Sequence, residues 1–391
     1  VDKITKENWM ASTRDWLSLA KIRASYGVNG NNNIAAYRAY GIYSTMTYGS
    51  YVGMVPSRPE NPNLSWEKNR TVNVGLDLGF FDDRLTASVD WYNRNTEDML
   101  LSKRVPYTTG FGSNFMNIGA IRNRGVEVQL EGILVNTSDV LWTAGVNVAF
   151  NRSKVLDLAD SEYLSVEDNR ASKNTGTPVR IVKDKGLYTF YLRDWYGVNP
   201  SNGDPLWYDE EGKLTSDVSK ARYIYEGSPE PKATGGFNTS LSWKGLTLSA
   251  FFEFVCGNKV FMASQFDLYC YDMTANTTTY SLGYWEKPGD TGVHPKPVAG
   301  NPKRPYSNST RYLQDGSYMR IKDVTLSYSL PENVLKAIKM QGLRIYVSAL
   351  NPYTFHNVKG VMDPELGPLG YSMGASHTMV KSLVGGIEVS F

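Results

Sequence analysis

The sequence predicts an all-β chain: a segment of an antiparallel, membrane-spanning β-barrel, about ten to twelve strands with long loops on one side. Three observations carry this expectation. Apolar and polar residues alternate with period two over many runs. The runs extend about nine to eleven residues, the span of a tilted membrane strand, where soluble strands usually stop near five or six. Tight turns also alternate with very long connections along the chain.

The first strand signal is Ile22 to Tyr26. From Val72 the chain reads VNVGLDLGF, with Val72, Val74, Leu76, Leu78 and Phe80 on one face and Asn73, Gly75, Asp77 and Gly79 on the other. Leu85, Ala87, Val89 and Trp91 repeat the pattern, as do Val126, Val128 and Leu130, and Trp142 through Phe150. Phe237–Trp243, Leu246–Phe254, Val324–Leu330, Leu343–Ala349 and Leu383–Phe391 complete the set, with weaker candidates near Tyr40, Tyr191 and Leu206. The turns FDDR after Phe80 and KG after Trp243 are tight, whereas 27–69, 93–119, 151–187 and 256–316 are long connections. A compact soluble domain rarely carries several such connectors. Pro331, the helical spacing of Val334, Leu335 and Ile338, and Gly342 predict one short helical turn near 332–341, packed as a cap under the wall. Phe80, Trp91, Trp142, Phe150, Trp243, Phe254 and Phe391 close the apolar stripes, where interfacial girdles belong.

Composition narrows the function classes. In 391 residues, 41 Lys and Arg nearly cancel 39 Asp and Glu, so a nucleic-acid partner has no electrostatic footprint. A hydrophobic share of 41% excludes general disorder. A mean hydropathy of −0.37, with 26 Tyr and 35 Gly, excludes a helical membrane protein but suits strands with one polar face. The opening VDKITKENWM shows neither a basic region nor an apolar stretch of an export signal. Cys256 and Cys270 are spaced so as to permit one bridge without demanding it.

The polar faces carry Asp77, Asp90, Glu127, Glu131 and Arg344, together with Glu253 and Lys322, as residues of a lumen-facing wall. Facing carboxylates invite a glycosidase reading. No spacing pins such a pair, so a solvated lumen is preferred and no catalytic residue is assigned. His294, His356 and His377 form no metal motif, and no GxSxG occurs. Asn202, Asp204 and Asp209 place oxygen donors beside glycines, a pattern that also suits calcium; an Asx-rich turn is the preferred reading, and otherwise no metal or cofactor is expected. Trp195, Tyr196, Trp207, Tyr208, Tyr271, Tyr284, Trp285 and Tyr312 lie outside the clear strands. Of these, Trp195, Trp207, Tyr208, Tyr271, Trp285 and Tyr312 are the substrate-contact candidates, since flat rings stack on sugars and peptide side chains; packing of the loops on themselves is the rival and preferred account.

Four blocks carry a resemblance: NPNLSWEK at 61–68 with the strand pair that follows, TGFGSNFMNIGAIRNRGVEV at 109–128, PEPKATGGFNTSLSWKGLTLSAFFE at 229–253, and YLQDGSYMRIKDVTLSYSLP at 312–331 with LRIYVSALNPYTF behind it. In this order they resemble the SusC/RagA-type TonB-dependent transporters over essentially the whole chain. The resemblance implies a plugged barrel of roughly 22 strands in the outer membrane of a Gram-negative bacterium. It further implies import of oligosaccharides or peptides, a SusD-like surface lipoprotein as lid, and energy drawn through TonB. It makes Phe391 the terminal aromatic barrel-assembly signal. The plug and the N-terminal barrel strands have no counterpart in 1–391, so the chain is expected to be the C-terminal part of such a barrel, completed by another polypeptide or an upstream segment. The expected function is non-enzymatic import. The alternatives are a passive porin or adhesin barrel, and a soluble extracellular β-rich protein that binds or cleaves glycans.

Overall fold

The computed structural model describes residues 12–13, 15–32, 34–159, 161–166, 177–263, 265, 277–291, 294–359, 363–371 and 379–391. Its frame is one ten-stranded antiparallel sheet in which every strand pairs with its neighbour in the chain. The strands are β1 (Leu17–Asn31), β2 (Glu67–Phe80), β3 (Leu85–Glu97), β4 (Ala120–Asn136) and β5 (Val140–Asp157). They continue with β6 (Ala233–Trp243), β7 (Leu246–Cys256), β8 (Tyr318–Ser329), β9 (Gly342–His356) and β10 (Ser382–Ser390). The strands are longer than soluble ones, as the periodicity predicts.

All tight connections lie at one end. Phe81, Asp82 and Asp83 turn between β2 and β3 in left-handed backbone. Lys244 and Gly245, with φ of 46° and 89°, form the two-residue hairpin turn between β6 and β7. At the same end, α1 (Glu332–Ala337) follows Pro331 and buries Leu335, matching the expected cap. The other end carries every long connection. The three weaker strand candidates belong to these connections rather than to the wall. Ile42–Tyr48 pairs with Tyr51–Arg58, Thr189–Arg193 sits in a four-stranded sheet, and Pro205–Tyr208 sits in a three-stranded one.

Burial is inverted relative to a soluble sheet. On β2, Val74 is 42% exposed while Gly75 beside it is buried, and Ile22, Leu130, Leu248, Leu326 and Val347 are likewise exposed. Successive register pairs join Ile22, Leu76, Val89, Val128 and Val148 into one continuous outward apolar row. The complementary inward row runs Lys21, Asp77, Ser88, Gln129, Asn147, Gly236, Glu253, Arg320 and Thr354. An exposed apolar face this wide has no partner in water and every partner in lipid.

The buried core lies in the loops. Val179, Phe190, Leu192, Phe261, Tyr312 and Tyr371 pack together, drawn from three different long connections. A smaller cluster of Ile121, Val155 and Leu158 seats this layer on the upper ends of β4 and β5.

Candidate functional site: a polar wall beneath a packed loop layer

The inward wall is held by charge networks. From β1, the Arg23 guanidinium donates to both Asp77 oxygens at 2.8 Å each and to Asp90 at 3.0 and 2.8 Å. Ser88 Oγ adds a bond to Asp77 at 3.0 Å. This cluster lies over Gly75, where a Cβ would stand 2.5 Å from Asp90 Oδ1 and would displace the ion pairs. Asp90 and Glu127 face each other across β3 and β4, and Gln129 donates to Glu131 at 2.9 Å. Arg344 pairs with Glu388 at 3.1 Å near the tight-turn end. The expected wall residues Asp77, Asp90, Glu127, Glu131 and Arg344 therefore lie on the polar face, but in separate groups: Asp77 with Asp90, Glu127 and Glu131 along β4, and Arg344 apart.

Two arginines that the sequence reading passed over are the organising cations. Arg23 is one. Arg320 on β8 is the other: its side chain is fully buried, and it donates to Thr354 at 2.9 Å and to Asp363 and Glu365 at 2.5 Å each. Lys322 bridges Glu253 at 2.7 Å and reaches Glu365. The last long connection is thereby tied down onto the inward row. The acidic partners of Arg23 and Arg320, more than 40 residues away in sequence, carry no local signal.

The loop aromatics divide. Trp207 and Tyr312 are 0% and 2% exposed, which removes them as open ring faces for substrate and agrees with the preferred account of loops packed on themselves, Tyr312 within the loop core. Trp195 stands edge-on to Trp207 with ring centres 5.5 Å apart, and Tyr208 stands edge-on to Tyr196 at the same distance. Trp285 donates its indole N–H to the Pro200 carbonyl at 3.0 Å and lies over Gly203. Tyr271, Cys270 and His377 lie outside the described residues, while Cys256 is exposed at the end of β7. Trp195 borders an open cleft, about 490 Å³, shared with Tyr312, Arg311, Gln265, Gln314 and Lys359. Arg311 lies over the Trp195 ring at 5.0 Å and bonds His294 at 2.6 Å.

Asn202, Asp204 and Asp209 are engaged within their turns. Asn202 accepts from the Asp204 N–H, and Asp209 accepts from the N–H groups of Glu211 and Lys213. Burial opposes the charge on Asp204, but Lys303 at 2.5 Å and Lys296 at 3.4 Å outweigh it and hold the carboxyl below its ordinary range. Among the described residues, no group of three or more His, Cys, Asp or Glu is placed to hold a metal ion.

Glu230 behaves oppositely. Burial raises its carboxyl above the ordinary 4.5, against the opposing bonds from Ser153 and the Leu187 N–H. A folded state that binds this proton more tightly is favoured at low pH and loses stability as pH rises from the ordinary carboxylate value through the raised one. Glu230→Gln keeps the Ser153 contact without the charge. Thermal melting across that window is expected to show wild type falling relative to the variant; parallel curves would contradict the assignment.

A sheet that is apolar outside and polar inside, with tight turns at one end and folded loops at the other, is the wall of an outer-membrane β-barrel. The family profile for TonB-dependent receptor-like β-barrels matches residues 5–255, and the chain belongs to that family. TonB-dependent receptor P3 of Formosa agariphila is 29% identical over 93% of this chain and 37% of its own length. TonB-dependent receptor SusC of Bacteroides thetaiotaomicron is 28% identical over 93% of this chain and 37% of its own. The solved structure of the RagAB peptide transporter superposes with a TM-score of 0.87 at 29% identity, covering 100% of this chain and 42% of the other. The chain thus spans about two-fifths of the length of these relatives. It is a SusC/RagA-type barrel wall of the outer membrane; its relatives are receptors and transporters, not enzymes. The soluble alternative is set aside by this membership together with the exposed apolar face.

Proposed function

We propose that the chain forms part of the wall and surface loops of a larger barrel that actively imports oligosaccharides or peptides. In this reading a SusD-like lipoprotein covers the loops, and TonB acts through a plug carried by the remainder of the barrel. The observation that carries it is an inward polar wall beneath a packed loop layer with one aromatic, amide- and guanidinium-lined cleft. Trp195 offers a ring face, and Arg311, Gln265 and Gln314 line the same cleft with groups that suit sugar hydroxyls or a peptide backbone. Completion of the barrel is supported by the sheet edges: among the described residues, β1 and β10 pair on one side only, and open edges in lipid cost several kcal/mol per unsatisfied group.

The test is uptake by cells whose own copy of the full-length transporter is replaced by Trp195→Ala. Uptake of the cognate class, oligosaccharide or peptide, is expected to fall about tenfold at limiting concentration, the scale of one lost aromatic contact, with outer-membrane levels unchanged. Uptake that persists without TonB would make the barrel a passive pore. Unchanged uptake of both classes by Trp195→Ala would remove the cleft from the pathway.

A further inference from the structure

The lipid-facing side of the wall carries a site that the transport reading does not use. On β3, β4 and β5, the outward row Trp91, Val126 and Phe150 marks the upper rim of the apolar band, at the end away from the tight turns. The next outward position on β4 is Arg124, and its register partner on β5 is Arg152. Two like charges directly opposed on neighbouring strands repel. Among the described residues, neither guanidinium has a carboxylate partner, and neither belongs to the residues with further contacts. The arrangement therefore costs stability unless an anion lies between the two.

The surrounding geometry supplies a place for one. β5 runs on to Asp157, while β6 begins at Ala233 and first pairs with β5 at Ala149, so the upper edge of β5 faces loop ends instead of a strand. An open groove of about 900 Å³ lies there, its lining including the aromatic row Trp91, Val126 and Phe150 together with Arg124 and Arg152. Lys232 and Lys259 enter from the loop ends, as do Glu226 and Glu230, the latter tied to Ser153. We infer that this groove binds a phosphate-bearing lipid of the outer leaflet, its acyl chain along the row Trp91, Val126 and Phe150 and its phosphate bridging Arg124 and Arg152. A guanidinium pair matches phosphate oxygens in number and geometry, and the aromatic row sets the depth at which headgroups lie. The inference rests on the orientation of the wall in the membrane and is independent of the imported cargo.

The experiment is native mass spectrometry of the full-length transporter in mild detergent, with phosphorylated lipid A, dephosphorylated lipid A or inorganic phosphate added, for wild type and the Arg124→Gln/Arg152→Gln double variant. Wild type is expected to retain phosphorylated lipid A preferentially, and the double variant to bind it about thirtyfold more weakly, as the loss of two surface cations implies. Because the arginines repel, the double variant without lipid should melt no lower than wild type, whereas added phosphorylated lipid should raise the melting temperature of wild type alone. Equal retention of the dephosphorylated lipid, or equal binding by the double variant, would overturn the inference. Inorganic phosphate competing fully with the lipid would reduce the site to a free-anion site and overturn the lipid assignment.

Discussion

Asp363→Asn combined with Glu365→Gln is expected to destabilise the last long connection by about 3–5 kcal/mol, the cost of stranding a buried charge. The size follows from the asymmetry of the pair. Arg320 has no exposed side-chain surface, and these two carboxylates are its only anionic partners among the described residues; Thr354 provides a single neutral acceptor. Replacing both acids with amides keeps their shape but leaves the guanidinium unneutralised beneath the loop. Arg320→Met is expected to cost less, because it removes the stranded charge as well as the pairs, and Asp363 and Glu365, which retain some exposure, can turn to water. Both variants should free the segment around 363–371 to exchange its amide hydrogens and be nicked by protease in the full-length protein. The double variant alone should also lower the stability of β8 and β9. Since the pair is buried, high salt should change little. Wild-type protection of 363–371 in the double variant would show that the loop is held by its apolar contacts instead.

The second large effect is expected on the opposite face. Leu76→Arg places a cation in the outward row flanked by Ile22 and Val89, well inside the apolar band, and should cost about 2–4 kcal/mol in a lipid bilayer. The neighbouring Asp77→Asn, one residue away but on the inward face, should cost less, because Arg23 keeps Asp90. Denaturant unfolding of the full-length protein in phospholipid vesicles measures both. If Leu76→Arg were tolerated as well as Asp77→Asn, the two faces would be wrongly assigned.

The wall was legible because its physics is local. Alternation from Val72 to Phe80 needs no knowledge of what lies across the strand, and the same holds for Trp142–Phe150 and Leu246–Phe254. The tight turns FDDR and KG, and Pro331 before the short helix, are local signals too. Legibility failed where structure depends on distant chain. A register shift between Ile321 and Asp323 leaves Lys322 as one extra residue against β7, and after it Val324, Leu326 and Tyr328 face outward. Period two alone does not mark that slip. Trp207 and Tyr312 are legible only as loop aromatics, with packing of the loops on themselves preferred over ligand contact, because nothing near Tyr312 in sequence says that Phe190, Leu192 and Phe261 will pack around it. Of the candidate site, the polar wall was therefore visible in outline, whereas the two arginines that organise it and the cleft beside Trp195 depend on contacts across long connections.

The loop core of Val179, Phe190, Leu192, Phe261, Tyr312 and Tyr371 shares no residue with the outward stripe of the wall. Substitutions in non-touching regions add independently. The surface layer is consequently free to diverge in shape and chemistry without altering how the strands meet lipid, and the wall can adapt to a membrane of different thickness without disturbing what the surface captures. That independence ends where the two meet, at Ile121 and Val155 on the upper strand ends and above all at Arg320, since that one side chain belongs to the wall and holds the loop. Changes there are constrained by both layers at once, which makes it a poor place for either to vary alone.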